Sequence, residues 1–378
     1  MKENPLVSII VLSYKNTEYL SFCLNSIFTQ TYDNIELIIT NDCSEDFDEK
    51  TVSLYVVNNK TDNISSVIIN KNERNMGTVR NCNIALSLSS GDYVMIISSD
   101  DAYNNKSVIE DMVTGFKSLP QDVMSIVGQT EMRDRDLDKC IKLYTDANTQ
   151  KLINELTPLE LYENHLAHNP IFPSAARIYK KEVFEKYGGF DERYFLVEDW
   201  SSSISFAKQG MRTYYLDILC VNHRAEGVSS SPGNPNSYAQ KMFLLDMIAI
   251  TANTLKDNSA SEAAKIGAKR RYDWYTKRFY ELFGIPIDLV RKINLTECST
   301  LKTEQTLTEL EKAILENEVN MQQFLGRCDA NQKIKSLEGE IYNAEERLRQ
   351  FETATFWKLT KPLRIVADMV KRIILSKE

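Results

Sequence analysis

Tyr93-Val94-Met95-Ile96-Ile97-Ser98-Ser99-Asp100-Asp101 is the stretch whose reading decides the fold. The apolar run is bounded by Gly91-Asp92 before it and Asn104-Asn105 after it, the pattern of a strand buried on both faces of a parallel sheet. In open α/β sheets, ligands bind outside the carboxyl ends of the strands. Two adjacent carboxylates at such an end are costly unless a cation or donor groups compensate them. A hard divalent metal carrying a diphosphate would do so. An isolated Asp-Asp is more often an acidic turn, so the surroundings must carry the weight.

Those surroundings alternate strand and helix. The spacing predicts strands at 7–14, 35–42 and 67–70 and helices at 17–29, 46–57 and 78–88, ahead of the Tyr93 strand. A helix near 107–116 and a strand at 124–127 follow. Such alternation predicts an α/β fold with a mostly parallel sheet flanked by helices on both faces. No GxGxxG follows the first strand, which argues against a dinucleotide site of the Rossmann kind. Residues 131–230 read as mixed, with helices at 180–187 and 198–209, an extended segment at 213–219 and a turn-rich break at 227–236. Helices at 238–255 and 261–283 come next.

Composition narrows the function classes. The 378 residues leave room for one domain of roughly 200 residues or more, plus appendages. A net charge of −8 speaks against nucleic acid as the main partner, which would want a basic face. The seven cysteines are scattered without a CxxC pair and read as reduced thiols of a cytoplasmic protein. Met1-Lys2-Glu3-Asn4-Pro5 runs straight into the first strand, so no signal peptide is expected. No apolar run of about 18 residues occurs, so no membrane-spanning helix is expected.

The C-terminal third changes character. Leu307, Leu310, Ile314, Met321, Phe324 and Cys328 recur at three-and-four spacing with Asn317 at one core position. A second register through Ile334, Leu337, Ile341, Ala344, Leu348 and Phe351 extends this to a coiled coil over 301–352, which would make the chain a homo-oligomer. In the tail, 353–378, an apolar stripe including Phe356, Trp357, Ile365 and Met369 stands beside six basic and two acidic residues. A basic amphipathic helix of this kind suits an anionic membrane surface.

Four segments converge on one edge of the predicted sheet: Leu12-Ser13-Tyr14-Lys15-Asn16, Thr40-Asn41-Asp42-Cys43-Ser44, Asn75-Met76-Gly77-Thr78-Val79-Arg80-Asn81 and Ser98 to Asp101. Asp42 can accept the imide N–H of a pyrimidine base, and Arg80 offers a fork for phosphate or for Asp42. Asp100 and Asp101 can share a ribose hydroxyl and a metal. Each signal is weak by itself.

Together with Val7-Ser8-Ile9-Ile10-Val11, Leu24-Asn25-Ser26-Ile27, Gln30-Thr31-Tyr32, Ile35 to Ile39 and Gly91-Asp92-Tyr93, their order and spacing resemble glycosyltransferase family 2, inverting enzymes of the GT-A fold. The resemblance covers roughly residues 5–225. It departs at Asn41-Asp42-Cys43-Ser44, where the family often has Asp-Asp-Gly-Ser, and at Ser98-Ser99-Asp100-Asp101, where it often has Asp-x-Asp-Asp. Further on, Gly188-Gly189-Phe190-Asp191-Glu192 leads to Glu198-Asp199-Trp200, resembling the family's Gly-Gly-Phe-Asp followed by Glu-Asp.

The resemblance implies a transferase moving sugar from a nucleotide-diphosphate donor, UDP-linked by expectation, to a hydroxyl of a glycan or lipid-linked acceptor. Asp199 is expected to be the base that inversion requires, with Glu198 as its orienter or the runner-up. Ser13, Tyr14, Asp42, Asn75, Gly77, Arg80, Ser99, Asp100 and Arg224 are expected to bind the donor. Asp100, Asp101 and His223 are expected to hold Mn²⁺ or Mg²⁺, while His168, Asn169 and Trp200 would line the acceptor side. Arg224 and Ser229-Ser230-Ser231 could close over the diphosphate. The expected organisation is a GT-A domain at 1–230, a helical extension at 231–300, the coiled coil and the tail. With the tail, this fits surface-polysaccharide synthesis (capsule, cell wall or O-antigen) at the cytoplasmic face of a bacterial membrane. A competing reading is a catalytically degenerate GT-A domain that scaffolds an assembly through the coiled coil. A sugar nucleotidyltransferase would need a Gly-rich loop that Ser13-Tyr14-Lys15-Asn16 lacks.

Overall fold

A computed structural model describes residues 4–15, 17–168, 175–225 and 238–284. The coiled coil and tail expected at 301–352 and 353–378 lie outside the described residues, as do Asn169 and Ser229 to Ser231. In chain order the elements begin β1 (Val7–Ser13), α1 (Thr17–Phe28), β2 (Ile35–Asn41), α2 (Glu49–Asn59), β3 (Ile64–Lys71), α3 (Thr78–Leu88) and β4 (Tyr93–Ser98). They continue with β5 (Ala102–Tyr103), α4 (Val108–Ser118), β6 (Val123–Arg133), β7 (Cys140–Leu143), α5 (Ala147–Glu155) and α6 (Pro158–Ala167). Last come β8 (Arg177–Lys180), α7 (Glu182–Tyr187), α8 (Glu198–Lys208), β9 (Arg212–Arg224), α9 (Tyr238–Lys256) and α10 (Glu262–Phe283).

The nine strands among the described residues join one sheet in the order β3-β2-β1-β4-β8-β6-β9-β5, with β7 hung on β6. The first four are parallel, with Val7 opposite both Ile35 and Tyr93. Beyond β4 the sheet is mixed: β8 runs antiparallel to β4 and β6, and β5 antiparallel to β9, while β6 and β9 are parallel. The expectation of a mostly parallel sheet therefore holds for one half. Lys180, read from the sequence as the start of a helix, instead ends the inserted strand β8.

Strand side chains alternate between two cores, as the pleat requires. Val7, Ile9, Val11, Met95 and Ile97 pack with α1 and α4, whereas Ile10, Ile38, Val94 and Ile96 face α3, α8, α9 and α10. Each wholly buried aliphatic side chain contributes about 1.5–3 kcal/mol. The second core matters for function because it fixes α3 and α8 against the carboxyl edge of β1, β2 and β4.

Candidate active site

The corner between β2 and α3 is built around Asp42. Its carboxylate is buried and accepts hydrogen bonds from Asn72 Nδ2 at 2.9 Å, the Met76 amide at 2.7 Å and the Gly77 amide at 2.8 Å. A carboxylate has about four lone-pair directions, so one remains for a ligand N–H. Burial raises the pKa of Asp42 even though these three donors pull it down. Gly77 has φ +82°, and a Cβ there would lie 2.5 Å from the Phe195 carbonyl oxygen. Only glycine fits the turn. Asn75 caps it from within, its Oδ1 accepting from the Gly77 amide at 3.0 Å.

Neighbouring residues make this corner rigid. Ser13 is buried, its carbonyl accepting from the Asp42 amide at 2.9 Å and its hydroxyl receiving Asn41 Nδ2 at 3.2 Å. Tyr14 is half-buried beside it, with Lys15 Nζ 5.1 Å from its ring. Cys43 adopts φ +63° at the place where the family often has glycine, so the backbone keeps the left-handed turn without the residue suited to it. Arg80, expected to reach phosphate or Asp42, pairs with Glu192 at 3.4 Å.

A second corner forms where β4, β5 and β9 meet. Ser99 is buried and ties β4 to β1 through its amide and the Leu12 carbonyl, 2.8 Å apart. Ser98 Oγ donates to Asp100 Oδ1. Asp101 is buried, with His223 Nδ1 at 3.0 and 3.1 Å from its two oxygens and the Arg224 amide donating at 3.1 Å. Arg224 is itself buried, its Nε on the Asp100 carbonyl at 3.0 Å and its guanidinium 3.9 Å from the centre of the Tyr19 ring. Those contacts seat the Arg224 guanidinium in the corner, beside Asp100 and Tyr19.

Electrostatics set this corner apart. Burial, and then the adjacent Asp101 charge, raise the pKa of Asp100. Burial pushes His223 down, but Asp101 and then Asp100 outweigh it and hold the imidazole above its ordinary value. The carboxylate pair fits a hard cation, whose charge would relieve the repulsion. As a three-ligand set it does not: His223 Nδ1 is turned onto Asp101, and among the described residues no group of three His, Cys, Asp or Glu side chains is arranged to hold an ion.

α8 opens with Glu198 and Asp199, both half-buried. A helix N-terminus lowers a carboxylate's pKa, yet burial wins at Asp199 and raises it, opposed by the Trp200 amide at 2.6 Å and by the buried Arg177 guanidinium. That raised pKa suits a base. Cys82, buried on α3, has its thiol pushed well up by burial and then by the charges of Glu198, Asp42 and Asp199. The acids of α8 and of the first corner thus flank one helix end.

One acceptor-side expectation changes. Trp200 is fully buried, with its Nε1 on the His165 carbonyl at 2.9 Å and Arg271 over its ring, so it is core and lines no acceptor surface. His168 is exposed and ends α6.

Several residues that build this site escaped the sequence. Arg177 is fully buried, donating to Ser125, Ser203 and Thr213 hydroxyls at 2.7–3.1 Å. Asn83 docks the Gly-Gly-Phe-Asp segment, donating to the Phe190 carbonyl at 2.9 Å and accepting from its amide at 2.9 Å. Asp246 on α9 is wholly buried beneath the turn that precedes α8. A lone acid inside the apolar run Met242 to Ile250 was the one available signal for it.

With this geometry in place, the relatives can be set beside it. Residues 8–188 match the profile of the family described as Glycosyl transferase family 2. Over 233 residues the chain is 39% identical to the putative glycosyltransferase EpsH of Bacillus subtilis, covering 59% of this chain and 64% of the relative. The O-antigen chain rhamnosyltransferase WbaN of Salmonella anatum is 26% identical over 223 residues, covering 58% and 66%. The chain thus spans about two thirds of the length of these relatives. The crystal structure of S. aureus TarS 1-349 in complex with UDP-GlcNAc superposes with a TM-score of 0.51 at 19% identity, over 77% of this chain and 79% of that one, a likeness of fold.

Proposed function

Because residues 8–188 belong to glycosyl transferase family 2, we propose that the chain is an inverting glycosyltransferase that moves a sugar from a nucleotide-diphosphate donor to an acceptor hydroxyl. The observation that carries this reading is the arrangement of acids around the end of the sheet. Asp42 is held on the protein's own amides with one lone-pair direction left, Asp100 and Asp101 crowd together, and Asp199 stands at α8 with a raised pKa.

Asp42 and Tyr14 would receive the base, and Asp100 the ribose. A Mn²⁺ or Mg²⁺ ion on Asp100 and Asp101, when bound, would neutralise the diphosphate. Asp199 removes the acceptor hydroxyl proton, and that oxygen bonds to the anomeric carbon on the face opposite the nucleotide. The bond from the anomeric carbon to phosphate oxygen breaks, and the nucleoside diphosphate leaves with the electron pair.

A UDP-linked donor is supported by the TarS complex with UDP-GlcNAc, and a role in bacterial surface-polysaccharide synthesis by the likeness to WbaN, an O-antigen chain rhamnosyltransferase; the acceptor would be a glycan or a lipid-linked sugar. Hexosyl or N-acetylhexosaminyl transfer belongs to the same reading. The basic tail would place the enzyme at the inner membrane face and the 301–352 segment would join copies. No helix among the described residues is long and apolar enough to cross a membrane.

Donor hydrolysis across a panel of nucleotide sugars with Mn²⁺ tests the proposal. Turnover of one donor, lost by about 100-fold or more in Asp199→Asn, supports it. One observation favours the scaffold alternative, the serine at position 98 in place of the first acid. No turnover of any donor would make that alternative the better account.

A further inference from the structure

Asp246 lies on α9, outside the residues matched by the family profile. Its carboxylate is fully buried and takes three consecutive backbone amides: Phe195 at 2.9 and 3.1 Å, Leu196 at 2.6 Å and Val197 at 3.1 Å. Glu198 and Asp199 come next in the chain. On its other side the same turn supports the donor corner, because the Phe195 carbonyl accepts from the Val79 amide at 3.2 Å and Phe195 closes over Gly77. Met76 and Gly77 in turn hold Asp42. A continuous run of hydrogen bonds and contacts therefore leads from Asp42 to Asp199, and Asp246 anchors its midpoint.

We infer that Asp246 is a positioning residue that sets the Phe195–Val197 turn and, through it, both Asp199 and the turn at 75–79. The physical ground is the cost of the alternative. Placing an ionisable group in this apolar core is unfavourable unless its hydrogen bonds hold a geometry that the chain uses. Removing the carboxylate would leave three consecutive backbone amides without their acceptor, so the turn has few other ways to sit.

The kinetic part of the test rests on the glycosyl-transfer reading; the exchange part does not. In the full chain, Asp246→Ala should speed amide hydrogen exchange at 195–199 and also at 76–79 by about tenfold or more. It should lower kcat by roughly 30-fold while the donor KM stays within about threefold. Asp246→Asn keeps an acceptor oxygen where Oδ2 stands but places an NH2 where Oδ1 accepts from Phe195, so it should recover kcat only to about threefold below the parent. Faster exchange at 195–197 with none at 76–79 overturns the inference, as does an unchanged kcat in folded Asp246→Ala. Should the alanine variant not fold, Asp246→Asn carries both readouts with changes of about threefold, and unchanged values overturn the inference. If the parent enzyme turns over no donor, it is the glycosyl-transfer reading that fails, and exchange at 76–79 still decides the role of Asp246.

Discussion

Two corners of the sheet edge hold buried acids and dispose of their charge in opposite ways. Where β2 meets α3, Asp42 is answered by amides and an Asn of its own chain. Where β4 meets β9, Asp100 lies beside Asp101 and its pKa is raised by burial and by that neighbour. The first corner is finished by folding alone, so its acid is architectural as well as recognitional. In the second, His223 and Arg224 answer Asp101, while Asp100 keeps a raised pKa, the condition expected of a group reserved for a ligand. Counting acids at a strand end would not separate the two; asking what answers each one does.

The sharpest way to break this contrast is Asp101→Asn. Activity should fall by about 1,000-fold, roughly 4 kcal/mol, with the melting temperature little changed, because relief of the repulsion with Asp100 offsets the weakened pairing with His223. A large loss of stability with activity retained would erase the distinction.

Asp246 supplies an intermediate case, answered by amides like Asp42 but so deep that burial pushes its pKa up to about 7 despite them. In the unfolded chain the group titrates near 4. Between those values the folded state binds more protons, so stability should fall as pH rises from about 4 to about 7. Thermal melts across that window should show the decline in the parent, by a few kcal/mol, and a flatter course in Asp246→Asn. Parallel slopes would remove Asp246 from the series.

Asp42→Ala should cost about 2–3 kcal/mol of stability by leaving its donors unanswered, measured by urea unfolding. A neutral result would mean that this corner is not finished by folding after all. The smallest effect belongs to Cys43→Gly. Relief of the left-handed strain should stabilise by about 1 kcal/mol, net of the entropy glycine adds to the unfolded chain, with donor affinity unchanged.

What could be read from the sequence follows the same division. β1, β2 and β4 are apolar on both faces, and their ends carry Asp42 and Asp100–Asp101, so runs and punctuation locate both corners. β8 hides because Arg177-Ile178-Tyr179-Lys180 does not look like the centre of a sheet. Its arginine is buried where Ser125, Ser203 and Thr213, from three other elements, supply hydroxyls. Asp246 is illegible for a similar reason, since its partners are backbone amides about fifty residues away and amides leave no mark on a sequence. The helices α5 and α6 were missed outright, although Thr157 and Glu160 form a reciprocal capping box at the start of α6.

The place of β8 has a consequence for how the chain is made. It fills the gap between β4 and β6, yet it is synthesised after both. At roughly 5–20 residues per second, the free edge of β4 waits on the order of 4–16 s on the ribosome before Arg177 emerges. During that interval the nascent chain carries a bare, apolar parallel edge, Tyr93 to Ser98, with no strand of its own to cover it. Charges flank that edge, Asp92 before it and Asp100-Asp101 after it, and flanking charge of this kind disfavours pairing with a neighbouring nascent chain.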